Sequence, residues 1–147
     1  MITRALLIAE ARSWIGTPYR HQASRKGVAC DCLGLIRGLY RFAYGSEPEP
    51  MPPYSPDWAE AGRQETLLNA ARRHLVELPI AAARPADVLL FRWRPNLPAK
   101  HCALLVTPRR IVHAYDAAGK VAEGNLQAQW DQRIVAVFAF PGIGEES

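Results

Sequence analysis

The sequence predicts an α+β domain with N-terminal helices packed on a C-terminal antiparallel sheet. Two observations carry this. Up to about residue 75 the apolar residues recur at helical spacing, and beyond it they fall into short β-like runs. Helices first and strands afterwards favour an antiparallel sheet over alternating βα units. A third observation divides the helical half. Prolines 48, 50, 52, 53 and 56 exclude regular structure from Ser46 to Pro56.

Taken in order, Thr3 caps a first helix that runs to about Ile15, with Leu7, Ile8, Ala11, Trp14 and Ile15 on one face. Gly16 supplies a left-handed stop and Pro18 blocks continuation. A polar loop from Thr17 to Cys30 holds Tyr19. Asp31 then caps a second helix over Cys32 to Tyr44, with Leu35, Ile36, Leu39 and Phe42 inward and Gly45 as its end. Ser55-Pro56 starts a third helix, since proline is tolerated at the first helical position, and this helix runs to His74 or Leu75. Strands are expected at Val88 to Trp93, His101 to Thr107, Ile111 to Tyr115, Lys120 to Glu123 and Ile134 to Phe140. With no internal repeat, low-complexity tract or linker, residues 1–147 read as one domain.

The bulk numbers narrow the function classes. A chain of 147 residues, 49% hydrophobic and 22% charged, is ordinary for a soluble protein with one core. The formal charge of +4 suits an anionic polymer such as a cell wall. The basic residues are scattered and no recognition motif accompanies them, so no nucleic-acid partner is expected. Nothing approaches the ~20 apolar residues of a membrane span, and the N-terminal apolar run is too short for a signal peptide. No membrane partner is therefore expected, and synthesis in the cytoplasm is. Three cysteines make an odd count, which excludes a complete disulfide framework and fits free thiols in a reducing compartment.

Cys32 stands in the first turn of the second helix, beside unsatisfied N–H groups and the positive end of the helix dipole. Both favour the thiolate, the reactive form. His101 opens one strand and His113 lies near the end of the next. In an antiparallel hairpin those positions are neighbours, so one imidazole can serve as base and the other can orient it. The two share a face only if the turn around Pro108 has an odd residue count. A three-residue turn at Thr107-Pro108-Arg109 would set Ala103 opposite His113 and leave His101 diagonal to it. Taken singly, Cys32 could be a packing residue and each histidine a satisfied sheet residue. His21 and His74 read as surface residues. Cys30, Cys32, Cys102, His101 and His113 include enough ligand types for zinc, but the spacing is poor, because Cys102 must point away from His101 and no C-x-x-C pair exists. No metal and no cofactor are expected.

The ordered set Tyr19, Asp31-Cys32-x-Gly34, Asp87-Val88-Leu89-Leu90-Phe91, His101 and His113 resembles the NlpC/P60 cell-wall peptidases, and looks most like the short form found in phage tails and prophages. The resemblance covers the chain from the first helix to Arg133 and the final strand with its Phe140-Pro141. It implies a papain-like fold and a cysteine endopeptidase that cleaves the D-γ-glutamyl–diaminopimelate type of bond in peptidoglycan stem peptides through a thioester. By resemblance Cys32 is the nucleophile, His101 the base and His113 the orienting third member. Tyr19 lies by the oxyanion, with the backbone N–H of Cys32 as the other donor. Asp31 holds the free amine of the stem peptide, a role that competes with its capping one. Phage tail proteins are the implied partners besides peptidoglycan, and delivery on a tail or virion is the implied route.

Two positions depart from the family pattern. Leu33 stands where the family has serine, which leaves peptide specificity open, and Ala86 stands where it has glycine before the first strand. The segment from His21 to Cys30 also lacks the usual glycine-rich loop. Two other functions share these residues. One is a structural or assembly module of a phage tail with weak or no turnover. The other is an acyltransferase or amidase working through the same thioester.

Overall fold

In the computed structural model of the chain, the described residues are 2–47 and 65–144. Helix α1 spans Arg4–Ser13, and the Thr3 side chain accepts from the Leu6 N–H, as the sequence predicts. Leu7, Ala11 and Trp14 are buried, but Ile15 is 46% exposed because the helix ends two residues before it. The loop after α1 contains a small hairpin that the sequence reading missed, β1 (Ser24–Arg25) against β2 (Ala29–Cys30). Strands of two residues carry no readable alternation.

Helix α2 spans Cys32–Tyr44, between the Asp31 cap and Gly45 in the left-handed conformation (φ 87°), with the boundaries the sequence predicts. Leu35, Ile36 and Leu39 are buried, joined by Leu33 and Gly38. Phe42, expected inward, is exposed. Gly38 is where α1 crosses α2, and a Cβ there would collide with the Trp14 ring. Helix α3 is described over Thr66–His74 and ends where predicted. Its expected start at Ser55-Pro56, and most of the proline-rich stretch, lie outside the described residues.

The C-terminal half forms a six-stranded antiparallel sheet in the order β3-β8-β4-β5-β6-β7. The strands are β3 (Val76–Leu78), β4 (Val88–Phe91), β5 (His101–Thr107), β6 (Arg110–Tyr115), β7 (Lys120–Asn125) and β8 (Ile134–Ala139). Five match sequence expectations to within two residues at each end. Edge strand β3 was missed, as was a four-residue helix α4 (Ala128–Asp131) between β7 and β8. The β5–β6 hairpin turns in two residues, Pro108-Arg109, with Thr107 paired to Arg110. A bulge between Leu105 and Thr107 supplies the odd residue. Beyond it Leu104 pairs with Val112 and Leu105 with Ile111. The expected three-residue turn is thus replaced by a shorter turn plus a bulge, and the expected register of Ala103 against His113 results all the same.

Alternation along the strands sorts the core into two faces. Val88, Leu90, Cys102, Leu104, Val112 and Ala114 pack with α1, α2 and α3. Leu89, Phe91, Ala103, Leu105 and Ile111 form the other face, covered partly by Trp130 of α4. The entry to β4 is fixed by charge. Asp87, fully buried, accepts from the Arg4 guanidinium at 2.9 Å and from the Arg84 N–H at 2.9 Å. The preceding Ala86 has φ 80°, the left-handed region that favours glycine, which gives the family's glycine at this position a physical reason.

Candidate active site

The loop before α2 is built around one carboxylate. Asp31, 3% exposed, accepts from the Gly34 N–H through Oδ1 and from the Gln22 N–H through Oδ2, each at 2.7 Å. The first bond caps α2; the second ties the helix start to the loop carrying Gln22, Ala23 and Ser24. Asp31 N–H donates to the Ala23 carbonyl at 3.1 Å, and Ser24 Oγ donates to the Gly34 carbonyl at 2.6 Å. A Cβ on Gly34 would run into that Ala23 carbonyl. The glycine of Asp-Cys-x-Gly is therefore a close-approach residue that lets this loop lie on the helix's first turn. His21, expected at the surface, is half-buried, with Nδ1 3.9 Å from Asp31 Oδ2. His74 is likewise half-buried; it lines an apolar cavity of about 160 Å³ between α2 and α3.

Cys32, the first residue of α2, has an N–H with no carbonyl one turn back to bond. Its Sγ lies 3.9 Å from the Lys100 carbonyl, and the residue is half-buried. Side chains of adjacent strand residues point to opposite faces, so Cys102 lies on the helix side and His101 on the other. Cys32 meets both because it reaches over the end of β5. Hydrogen bonds accepted from the Cys102 thiol and then from His101, with the positive charge that ring can carry, hold the Cys32 thiol well below its ordinary range against the opposing effect of burial. The same contact pushes the Cys102 thiol up, so Cys102 stays protonated and donates. Cys30 is pushed up to about 12 by burial and by the nearby Asp31 and Cys32 charges, and is inert. Position in the sequence singled out Cys32, which the structure sets beside Cys102 and His101, but gave Cys102 no part beside it.

His101 Nε2 lies 2.8 Å from His113 Nδ1, the meeting predicted for the diagonal pair. Both rings are buried, at 5% and 8% exposure. Trp93 stacks on His101 at 5.5 Å between centroids and Tyr115 stacks on His113 at 5.3 Å, with their planes 25° and 7° apart. Burial, and then the His101 charge, push His113 down to about 3. A neutral His113 accepts at Nδ1 from His101 Nε2–H, which leaves His101 Nδ1 free to exchange a proton with Cys32. A thiolate, a proton-carrying imidazole and a neutral orienting ring are the parts of a nucleophilic acyl-transfer site. The sequence placed Phe91, Trp93 and Tyr115 in expected strands but gave none of them, nor Trp130, a part beside the pair.

Tyr19 is tied by backbone bonds to Gly119 (2.9 Å) and, through an isolated parallel bridge, to Cys30. Burial, then the charges of Cys32 and Asp31, raise its hydroxyl above the ordinary range, so it remains a donor beside the thiol.

No protein-family sequence model matches the chain, and no curated protein sequence matches it significantly. Solved structures do. The NlpC/P60 domain of the peptidoglycan hydrolase SagA superposes with a TM-score of 0.65 at 19% identity, covering 95% of this chain and 100% of that one. A Staphylococcus aureus protein of the NLP/P60 family, described as similar to lipoprotein, gives 0.61 at 19% identity, covering 92% of this chain and 41% of that one. The peptidoglycan hydrolase RipB of Mycobacterium tuberculosis gives 0.60 at 20% identity, with 90% and 61% covered. The chain thus spans less than two thirds of the latter two proteins and the whole of the SagA domain. Helices on a large antiparallel sheet, aligned over nine tenths of the chain, establish an α+β, papain-like NlpC/P60 fold.

Proposed function

We propose that this protein is a cysteine endopeptidase of peptidoglycan stem peptides, cleaving the D-γ-glutamyl–diaminopimelate type of bond. The observation that carries the reading is the contact of the Cys32 thiol with His101, itself bonded to His113 at 2.8 Å, at a helix start. The Cys32 thiolate attacks the scissile carbonyl carbon while His101 holds the thiol proton. The tetrahedral oxyanion takes hydrogen bonds from the Cys32 N–H and the Tyr19 hydroxyl. The C–N bond breaks as His101 gives its proton to the leaving amine, which leaves a thioester on Cys32. Water, losing a proton to His101, attacks that thioester and releases a carboxylic acid and the free thiol.

Support comes also from structural neighbours that are themselves peptidoglycan hydrolases. Asp31 Oδ2 and the adjacent His21 are the groups we assign to a substrate amine, and Leu33, where the family has serine, is buried in the helix-side core. Carriage on a phage tail rests on the resemblance of the motif set alone. The deciding experiment is digestion of purified muropeptides, with products identified by mass spectrometry. Free N-terminal diaminopimelate with wild type, and none with Cys32→Ala of unchanged fold, is the expected result. Release of the muramoyl–peptide bond instead would make the protein an amidase. Transfer to an added amine in preference to water would make it an acyltransferase. Antibody labelling of purified virions tests the tail assignment.

A further inference from the structure

Four residues make up α4, and three of them, Ala128, Gln129 and Asp131, are exposed. The fourth, Trp130, points inward and meets five rings at and around the His101–His113 pair. Its centroid lies 5.2 Å from Phe91, 5.3 Å from Trp93, 5.6 Å from His101, 5.5 Å from His113 and 5.4 Å from Tyr115. It meets His113 and Tyr115 edge-on, at 83° and 77°. So short a helix has little stability of its own. It is pinned from outside by Arg109, which pairs with Asp131 at 2.8 Å and donates to the Leu126 carbonyl at 2.5 Å.

We propose that Trp130 is a positioning residue for the His101–His113 pair, an indole lid that keeps water off their hydrogen bond and fixes both ring planes. This rests on the peptidase reading above. A hydrogen bond is stronger where the dielectric is low, and only a neutral His113 can accept from His101. Burial is the main reason His113 resists protonation, and the indole, edge-on at 5.5 Å, supplies part of that burial. Among the described residues, the titratable and charged groups facing the pair are Cys32 from α2, Tyr115 from β6 and, beyond the Trp93 ring at 5.9 Å, Arg133. Uncovering the pair would let water solvate His113, so that it takes up a proton and repels the imidazolium that His101 must become.

The test compares wild type with Trp130→Phe and Trp130→Ala. Histidine-ring NMR titration follows His113, iodoacetamide labelling at pH 6 follows the Cys32 thiolate, and thermal melting follows the fold. Expected for Trp130→Ala is a His113 midpoint raised by at least one unit toward ~6.5, with labelling at pH 6 slowed in proportion to the share of His113 protonated there. Trp130→Phe should retain most of both. A folded Trp130→Ala with wild-type titration and labelling would overturn the proposal, as would a wild-type His113 that titrates in the ordinary histidine range. If Trp130→Ala does not fold, Trp130→Leu replaces it, and an unshifted midpoint there refutes the proposal equally. Failure of the peptidase reading looks different, because wild-type Cys32 itself would then label slowly at pH 6.

Discussion

Replacing Gly34 by alanine tests whether the Asp-Cys-x-Gly motif is a steric device that builds the turn holding Cys32. The new Cβ would occupy the position of the Ala23 carbonyl oxygen, with Asp31 Oδ1 a further 3.1 Å neighbour. The Ala23 oxygen is backbone and cannot rotate away, so the loop must lift. Lifting it removes the Asp31 N–H bond to Ala23 and the Ser24 Oγ bond to the Gly34 carbonyl, each contributing about 1 kcal/mol net. It also strains the Gln22–Asp31–Gly34 cap, where losing a cap costs about 1 kcal/mol. The destabilisation expected is about 3 kcal/mol, a fall in melting temperature of roughly 6–12 °C for a chain of this size. Circular dichroism reads the melting, and pH-dependent alkylation of Cys32 reads the site, which should lose its low-pH reactivity because the helix start has moved. A Tm within about 2 °C of wild type, with alkylation unchanged, would refute the reasoning.

Other positions give independent checks. In an ordinary helix interior Gly38→Ala would stabilise by about 1 kcal/mol; here the methyl meets Trp14, so a loss of about 1–3 kcal/mol is expected. Trp14→Phe in that background should recover part of it, and denaturant unfolding of the four variants measures the coupling. Cys102→Ala should move the alkylation midpoint of Cys32 upward while Cys102→Ser, which keeps a donor, holds it closer to wild type; Cys30→Ala should leave it in place. His113 binds its proton only near pH 3 in the folded protein but at about 6.5 when unfolded. The unfolded state therefore holds more protons between those values, and stability must fall as pH falls through that window. Between pH 8 and pH 5 the loss attributable to His113 is about 2 kcal/mol. A His113→Phe variant that shows the same acid sensitivity as wild type would contradict this.

What the sequence disclosed and what it withheld divide along a physical line. Caps and stops are local, so Thr3, Asp31 and Gly45 marked the ends of α1 and α2 directly. Runs of alternating or continuous apolar residues marked β4 to β8. The missed elements, β1, β2, β3 and α4, are two to four residues long, shorter than two periods of the pattern that would announce each. Within the site, Cys32, His101 and His113 were legible because each carries its chemistry in its identity and sits at the end of a recognisable element. Cys102 was not. Its neighbourhood depends on where α2 crosses β5, a tertiary fact, and alternation correctly turned it away from His101 without saying what it would meet instead.

The same crossing explains why Cys32 and His101 can meet from opposite faces of one sheet. Cys32 packs with the helix-side core and His101 with the aromatic face, and they meet only because His101 is the first residue of β5. One residue further along, the side chain points to the helix side, and that residue is Cys102. Two residues further, Ala103 returns to the aromatic face, but the sheet then lies between it and α2. A base for a thiol at this helix start is thus confined to the strand's first position, and the register of β6 then confines its orienting partner. The bulge between Leu105 and Thr107 sets that register. Deleting Val106 would only close the bulge, keeping Leu105 opposite Ile111 and Thr107 opposite Arg110. Deleting Leu104 instead would slip the residues before it by one, turn His101 to the wrong face, and separate the pair with no change at the thiol itself. A deletion variant with an intact fold and Cys32 alkylation that no longer responds to His101→Ala is therefore the expected result. Wild-type coupling in that variant would show that the pair does not depend on strand register.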